Sequence, residues 1–245
     1  MLRKLFVAAV LAALSGGAAA QSATASEFTL TPYLWNAGFD GTIGTRSGGG
    51  RLDGEFSGLL DAMKVSGIML YADWRRDRWT IFGDWTHVKV TSSVPSPFGL
   101  LYAGLDSEIK GNIVQGAVGY RVLGDRTSGV DVFGGLRYFD LRARLDLLPQ
   151  VLAARGVSGS ESWTDAIVGA RWRGRLSGNW VAALYGDVGA GGSDWTWQAV
   201  ANIGYEFPWG SFLGGWRHLV ADHDKDSLRI DAALSGPFLG ASFRF

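Results

Sequence analysis

The sequence predicts an all-β protein, a closed antiparallel transmembrane β-barrel of about ten strands, with eight or twelve strands as alternatives. Three observations lead to this fold class. From Glu27 onward the chain alternates apolar and polar residues with period two, in segment after segment. Most segments run to about nine residues or more, which is the length of a membrane strand rather than of a strand in a globular protein. The 36 glycines and a charged fraction of only 19%, against about 25% in soluble domains, suit a tightly curved barrel in lipid.

The N-terminal residues have the features of a secretory signal peptide. Arg3 and Lys4 precede an apolar run over residues 5–14, and Ala18, Ala19 and Ala20 supply the small residues that signal peptidase reads. The run is too short to cross a bilayer as a helix. We therefore expect a cleaved signal peptide over residues 1–20 and an exported barrel over residues 21–245.

The segment 195–206 shows the alternation most cleanly. Its apolar face begins with Trp195 and Trp197 and ends with Tyr205, and small aliphatic residues lie between them. Membrane strands place aromatic residues at both bilayer interfaces and apolar residues between them. Applied to all the strands, this pattern predicts an aromatic girdle made of Trp74, Tyr120, Trp172, Trp180, Trp195, Trp197 and Tyr205.

The spacing of the alternating segments predicts where the strands and loops lie. Ten strands are expected to start near Glu27, Lys64, Trp79, Ser107, Val130, Glu161, Asn179, Asp194, Ser211 and Leu228. Short connections alternate with longer or more polar ones, such as 91–106 and 147–159, so both termini and the short turns are expected on the periplasmic side. The apolar residues of those two long links either extend strands beyond the bilayer, contact lipid A or bind an apolar ligand. Twelve strands would result if 51–56 or 228–234 crossed the membrane separately.

The C-terminal residues form a last alternating stretch. Leu239, Ala241, Phe243 and Phe245 share one face, and the chain ends on an aromatic residue. A terminal aromatic residue on an alternating strand is similar to the signal that the outer-membrane assembly machinery recognises in Gram-negative bacteria. We therefore expect Phe243 and Phe245 to form the assembly signal, with the barrel-assembly machinery as a partner.

Motifs spread over nearly the whole chain after residue 20 support the same architecture. They are Thr31-Pro32-Tyr33-Leu34-Trp35 with Gly38 and Gly41, Phe56-Ser57 followed by Leu59-Leu60-Asp61, Arg78-Trp79, Ser160 with Trp163-Thr164-Asp165 and Val168-Gly169, and the ending Ser235-Gly236-Pro237-Phe238-Leu239-Gly240 with Phe243-Arg244-Phe245. Together they resemble one family of uncharacterised proteobacterial outer-membrane β-barrel proteins, among the small OmpA- and OmpW-like barrels. The resemblance implies the fold and the cell outer membrane as location, and it brings no catalytic motif. Gly58 stands where Asp is expected.

The inward faces are expected to carry a network of acids and bases in near balance. Its members are Asp73, Asp84, Arg121, Arg137, Asp165, Arg171, Arg173, Asp187, Glu206, Arg217 and Arg244. Side chains fill the lumen of a small barrel, and buried charges must pair because an unpaired one costs several kcal/mol. The network is therefore either a salt-bridged plug that rigidifies the barrel or a narrow polar pathway for small solutes. Neither interpretation involves catalysis, a cofactor or a metal site.

Two other classes of function remain open. A lipid hydrolase on the barrel scaffold needs a histidine base beside a serine, but His87, His218 and His223 show no compact His-x-Ser spacing. A soluble exported ligand-binding barrel would instead turn its apolar faces inward. Basic and acidic residues number 23 each, and there is no cysteine, so we expect no nucleic-acid partner and no thiol nucleophile. The expected partners are outer-membrane lipid and lipopolysaccharide, and the oligomeric state stays open.

Overall fold

The computed structural model describes residues 26–45, 64–95, 102–125, 127–149, 155–225 and 228–245. The signal peptide expected over 1–20 and the segment 51–56 lie outside these ranges, as does the part of the family-like motif around Phe56. Within the ranges, no helix is long and apolar enough to cross a membrane.

The described chain consists of antiparallel strands joined in one sheet. They are β1 (Glu27–Trp35), β2 (Gly38–Thr45), β3 (Lys64–Arg76), β4 (Trp79–Pro95), β5 (Tyr102–Gly124), β6 (Gly129–Pro149), β7 (Arg155–Ser177), β8 (Trp180–Gly191), β9 (Trp195–Phe207), β10 (Gly210–Lys225) and β11 (Leu228–Arg244). From β3 to β11 each strand pairs with the next along the chain. This simple up-and-down order is what an alternating sequence with short turns produces.

The sheet closes on itself because the first strand pairs with the last. β1 lies between β3 and the C-terminal half of β11, with Tyr33 opposite Gly240. β2 continues on the same side of β11, with Gly38 opposite Ser235. The two therefore act as one strand interrupted at Asn36, and the barrel has ten strands. The alternatives of eight and twelve strands are wrong, since 228–234 is part of β11.

The two links expected over 91–106 and 147–159 are largely strand. Thr91 pairs with Glu108 and Ser93 pairs with Asp106. Likewise, Leu147 pairs with Arg155. β5 and β7 therefore begin earlier than the expected starts at Ser107 and Glu161. The reason is that backbone pairing does not depend on side-chain polarity, so the strands continue where the apolar–polar alternation fades.

The short turns and both termini lie at one end of the barrel. The β3–β4 turn holds Asp77 at φ 56°, and the β7–β8 turn holds Gly178 at φ 54°, the left-handed values that tight hairpins need. At the β5–β6 turn, the backbone N–H groups of Ser128 and Thr127 donate to Asp125 and hold the pKa of its carboxyl below the ordinary value. Because short turns and termini face the periplasm in bacterial barrels, we refer to this as the periplasmic end.

The exterior is apolar in the middle and aromatic towards both ends. Outward residues such as Val118, Leu184 and Ile203 are about half exposed, which is unfavourable for a surface in water. From Trp195 to Tyr205, β9 rises ten residues, which is about 23 Å for a strand tilted by about 45° and matches the apolar band of a membrane barrel. The soluble-barrel alternative is therefore wrong: this is a transmembrane barrel of the kind that lies in the outer membrane.

Two inward glycines allow the wall to bend sharply. A Cβ on Gly215 would overlap the backbone oxygen of Ala201, and one on Gly135 would overlap that of Gly116. Only glycine permits this close approach of neighbouring strands, which curves a small barrel around large inward side chains.

Candidate functional site

The structure places all the charges proposed for the lumen on the inward side of the wall. Asp73, Arg137, Asp165, Arg171, Asp187 and Arg217 are buried, whereas Asp84, Arg121, Arg173, Glu206 and Arg244 are partly exposed towards the interior or its mouth. Most of them fall into three groups, two in the middle of the barrel and one nearer the periplasmic end, and each group has its own partners.

Arg217 on β10 forms the first group, in the middle of the barrel. Its guanidinium donates to Asp84 Oδ1 at 3.1 Å, to Tyr33 Oη at 2.5 Å and to Gln198 Oε1 at 2.8 Å. Tyr33 in turn donates to Asp84 Oδ2 at 2.6 Å. The guanidinium also lies 4.8 Å from the ring centre of Trp35. All these partners come from other strands, so the group ties the wall together across the lumen.

Arg137 on β6 forms the second group at a similar depth. It donates to Asp187 Oδ2 at 2.5 Å and to Gln115 Oε1 at 2.7 Å. Tyr185 also donates to Asp187, at 2.6 Å. Beside this group, Asp165 accepts hydrogen bonds from the backbone N–H and the hydroxyl of Ser193, each at 2.7 Å. We call the groups around Arg137 and Arg217 the central polar layer.

The third group lies nearer the periplasmic end, and we call it the arginine cluster: Arg75, Arg121, Arg171 and Arg173 around Asp73 and Asp131. Asp73 Oδ2 lies 2.6 Å from Arg75, 3.5 Å from Arg171 and 3.4 Å from Arg173. Asp131 lies 3.0 Å from Arg121, 3.0 Å from Arg171 and 3.5 Å from Arg173. The cluster therefore shares two carboxylates among four guanidinium groups.

A cavity of about 440 Å³ opens beside the arginine cluster. Its mouth is framed by Glu27, Arg175, Glu206 and Arg244, which adjoin the termini and the short turns. Arg244 pairs with Glu27 at 3.2 Å and with Glu206 at 2.8 Å, and Arg175 also pairs with Glu206. The cavity therefore faces the periplasm.

Two apolar layers separate and cover the polar groups. Phe82 and Phe133 pack edge to face at 5.1 Å between the arginine cluster and the central polar layer, and Arg171 lies 4.6 Å from the Phe82 ring centre. Towards the external end lies a larger cluster, which we call the apolar plug: Trp35, Met69, Ile113, Phe139, Trp163, Leu219 and Ile230, all buried. The sequence analysis did not anticipate this plug, because it considered only the charged inward residues.

Sequence reasoning also missed several polar partners. Asp131, Arg75, Arg175 and Glu27 complete the ion pairs near the periplasmic end. Asp131 had a usable signal, since it stands on the same alternating face as Arg137. The neutral partners Tyr33, Gln115, Tyr185 and Gln198 had none, because a neutral polar residue in an alternating strand does not reveal which charge it will meet.

The residues proposed for the girdle all lie on the outward side. Tyr120, Trp180, Trp195 and Tyr205 are exposed, whereas Trp74, Trp172 and Trp197 are half-buried by neighbours on the same face. Phe243 and Phe245 also point outward, at the periplasmic end, where they lie beside Trp209 and Phe28 at 5.5 and 6.1 Å. The position fits an assembly signal that remains accessible to lipid and protein.

Each histidine contacts a group other than a serine hydroxyl. His87 Nδ1 lies 2.9 Å from Asn112 Oδ1, and the His218 ring packs against Trp197 at 4.7 Å. His223 is buried, stacks on Trp163 at 4.3 Å, and its Nδ1 lies 3.0 Å from the carbonyl of Gly192. These contacts are those of structural histidines.

The sequence matches no protein-family model and no curated protein. Among solved structures, the translocator domain of the autotransporter NalP from Neisseria meningitidis is 15% identical with a TM-score of 0.51, and the match covers 100% of this chain and 95% of that one. The attachment invasion locus protein Ail of Yersinia pestis is 13% identical over 90% of this chain and 98% of its own, with a TM-score of 0.39. The outer membrane protein OprG of Pseudomonas aeruginosa is 10% identical over 91% and 97%, with a TM-score of 0.41. The likeness to the translocator domain concerns the fold, and with the closed sheet and the lipid-facing exterior it identifies an outer-membrane-type β-barrel.

Proposed function

We propose that the protein is a structural barrel of the outer membrane with a sealed lumen and no catalytic activity. The observation that carries this proposal is the stacking of the apolar plug on the central polar layer. Arg137 and Asp165 are both 0% exposed, and Trp35 and Phe139 are each 2% exposed. A solute crossing the barrel would have to displace both layers together.

The energetics of the central polar layer favour a closed lumen. Separating Arg137 from Asp187 leaves two charges without partners in a poorly solvated interior, which costs several kcal/mol. The plug adds aromatic packing, including the Phe139–Trp163 stack at 4.8 Å. The narrow solute channel is the competing function, and the cavity at the periplasmic end would be its vestibule.

Planar-bilayer conductance of the refolded chain tests the sealed lumen. A heat-modifiable gel shift first establishes that the barrel has folded. We expect no steady conductance steps from the wild type, and an open porin refolded into the same bilayers serves as the positive control. Discrete, reproducible steps from the folded wild type would overturn the sealed lumen in favour of the channel.

The histidine contacts support the absence of catalysis. Hydrolysis by a serine nucleophile needs a histidine within hydrogen-bond reach of that serine, whereas His87, His218 and His223 are engaged elsewhere. The test compares phospholipid and lipid A profiles of three kinds of cell, which carry the wild type, the triple His→Ala variant or no copy of the protein. We expect the three profiles to be the same. A lipid change that depends on these histidines would establish a hydrolase.

We also propose outer-leaflet lipopolysaccharide as a lipid partner. Lys89, Lys110 and Arg142 stand side by side on the outward surface of β4, β5 and β6. Trp85, Val114 and Tyr138 form a row of paired outward residues on the same three strands. Each cation lies four residues farther along its strand than its member of that row, which is about 9 Å along the membrane normal. Cations at this height meet headgroup phosphates. The C-terminal sequence motif leads us to propose the barrel-assembly machinery as a partner that recognises Phe243 and Phe245. We also propose, on the Thr31–Trp35 motif, that the protein is a member of the proteobacterial barrel family that this motif resembles.

A further inference from the structure

We propose that the periplasm-facing cavity binds a small phosphate-class oxyanion on the arginine cluster. This site goes beyond the sealed structural barrel, because a ligand reaches it from the periplasm without crossing the lumen.

Among the described residues, the arginine cluster has two more guanidinium groups than carboxylates, and the exposed Asp125 at the β5–β6 turn interacts with Arg121 and offsets part of this excess. In the arginine cluster, four guanidinium groups share Asp73 and Asp131. At the mouth, Arg175 and Arg244 are matched by Glu27 and Glu206, so the mouth leaves the excess unchanged. Farther from the mouth, Arg217 and Arg137 are matched by Asp84 and Asp187, and the buried Asp165 is hydrogen-bonded to Ser193 rather than to an arginine of the cluster.

Burial makes this excess costly. The side chain of Arg171 is only 5% exposed and that of Arg121 only 11%. Arginine side chains are not deprotonated in proteins, so the four guanidinium groups of the cluster keep their positive charges at every working pH. Buried charges require a counter-charge to be stable, and a dianion in the adjoining cavity supplies it.

The geometry of Arg173 leaves donors for a ligand. Its guanidinium approaches Asp73 and Asp131 only at 3.4 and 3.5 Å, and its side chain is 24% exposed towards the cavity. The planar guanidinium fork matches the spacing of two phosphate oxygens. Neutral donors on the opposite wall, Asn202 and Ser211, also line the cavity, whose volume lies within the range of small-molecule sites.

Isothermal titration of the refolded barrel in zwitterionic detergent tests the site, with sodium chloride holding ionic strength constant. The probes are inorganic phosphate, glycerol 3-phosphate and sulfate. We expect saturable phosphate binding, and sulfate, a tetrahedral dianion of the same class, should compete for the site. A tighter response to the ester than to the free ion would assign the source to lipid-headgroup-like phosphates, and the reverse to free phosphate.

Arg173→Gln is the diagnostic variant, and Arg76→Gln is its control. Arg76 is also a β-strand arginine near the periplasmic end, but it is exposed at the end of β3 and does not line the cavity. We expect at least a tenfold loss of phosphate affinity from Arg173→Gln, and from Arg75→Gln if the first variant does not fold, with no change from Arg76→Gln. Absence of saturable binding to the folded wild type, or equal losses from Arg173→Gln and Arg76→Gln, would overturn the proposal. Conductance is measured separately, so failure of this site leaves the sealed lumen untouched.

Discussion

Replacing Arg137 by methionine should reveal how strongly the central polar layer stabilises the barrel. Arg137 is fully buried, and its guanidinium donates to Asp187, Gln115 and Thr196. Methionine has a similar length and no charge, so Arg137→Met leaves Asp187 buried with only the hydroxyl of Tyr185 as donor. Breaking a buried ion pair by removing one partner costs about 3–5 kcal/mol.

A second substitution separates the charge effect from lost packing. Adding Asp187→Asn removes the stranded charge while keeping an oxygen for Tyr185, so the double variant should recover about 1–3 kcal/mol of the loss. Arg142→Met is the matched control, because its ion pair is exposed on the outward surface and such pairs contribute about 1 kcal/mol or less.

The measurement is equilibrium unfolding in urea from lipid bilayers at pH 8, followed by tryptophan fluorescence and heat-modifiable migration. The free energies of unfolding of the wild type, Arg137→Met, Asp187→Asn and the double variant give the coupling between Arg137 and Asp187, and Arg142→Met is measured beside them. A loss below about 1 kcal/mol for Arg137→Met, or a double variant that is no more stable than the single one, would refute the view that paired buried charges hold the lumen together.

Three further predictions concern the wall, the membrane surface and a periplasmic turn. Gly215→Ala should lower the free energy of unfolding by about 1–3 kcal/mol, because the new Cβ would overlap a backbone carbonyl of β9. Gly116→Ala is the control and should change stability little, because the space around its Cβ is open. Equal effects of the two substitutions would contradict the close approach of the strands at Gly215. Brominated lipids should quench the fluorescence of Trp180, which is 47% exposed, far more than that of Trp163, which is 6% exposed. Trp180→Phe should therefore remove more of the total quenching than Trp163→Phe. The opposite order would mean that the outward and inward faces of the strands are reversed. Backbone N–H donors lower the folded pKa of Asp125, so its contribution to stability is complete above the ordinary pKa of about 4 and disappears as the pH falls through the folded value. The difference in unfolding midpoint between wild type and Asp125→Ala should therefore be constant from pH 5 to pH 8 and shrink in acid, and a difference that grows in acid would contradict this.

The sequence predicted the elements of the wall well because their signal is local. In β9 the alternation alone distinguishes the outward Trp195 and Tyr205 from the buried Thr196 and Gln198. The signal failed where its physical cause was missing. β5 and β7 continue as paired strands where the apolar–polar alternation ends, so the sequence there resembles a loop.

The sequence by itself determined the class of fold and the face of the wall on which each charge lies, because lipid outside and side chains inside impose a period of two on every strand. It left eight, ten or twelve strands open, and the closure of the sheet decided ten. Only the tertiary structure decided which charges meet. Arg217 and Tyr33 are 184 residues apart, and Arg137 and Asp187 are 50 apart, so their contacts depend on closure and register around the barrel. The apolar plug and the excess of arginine near the periplasm were decided in the same way, since depth in the lumen is a property of the closed sheet and not of any single strand.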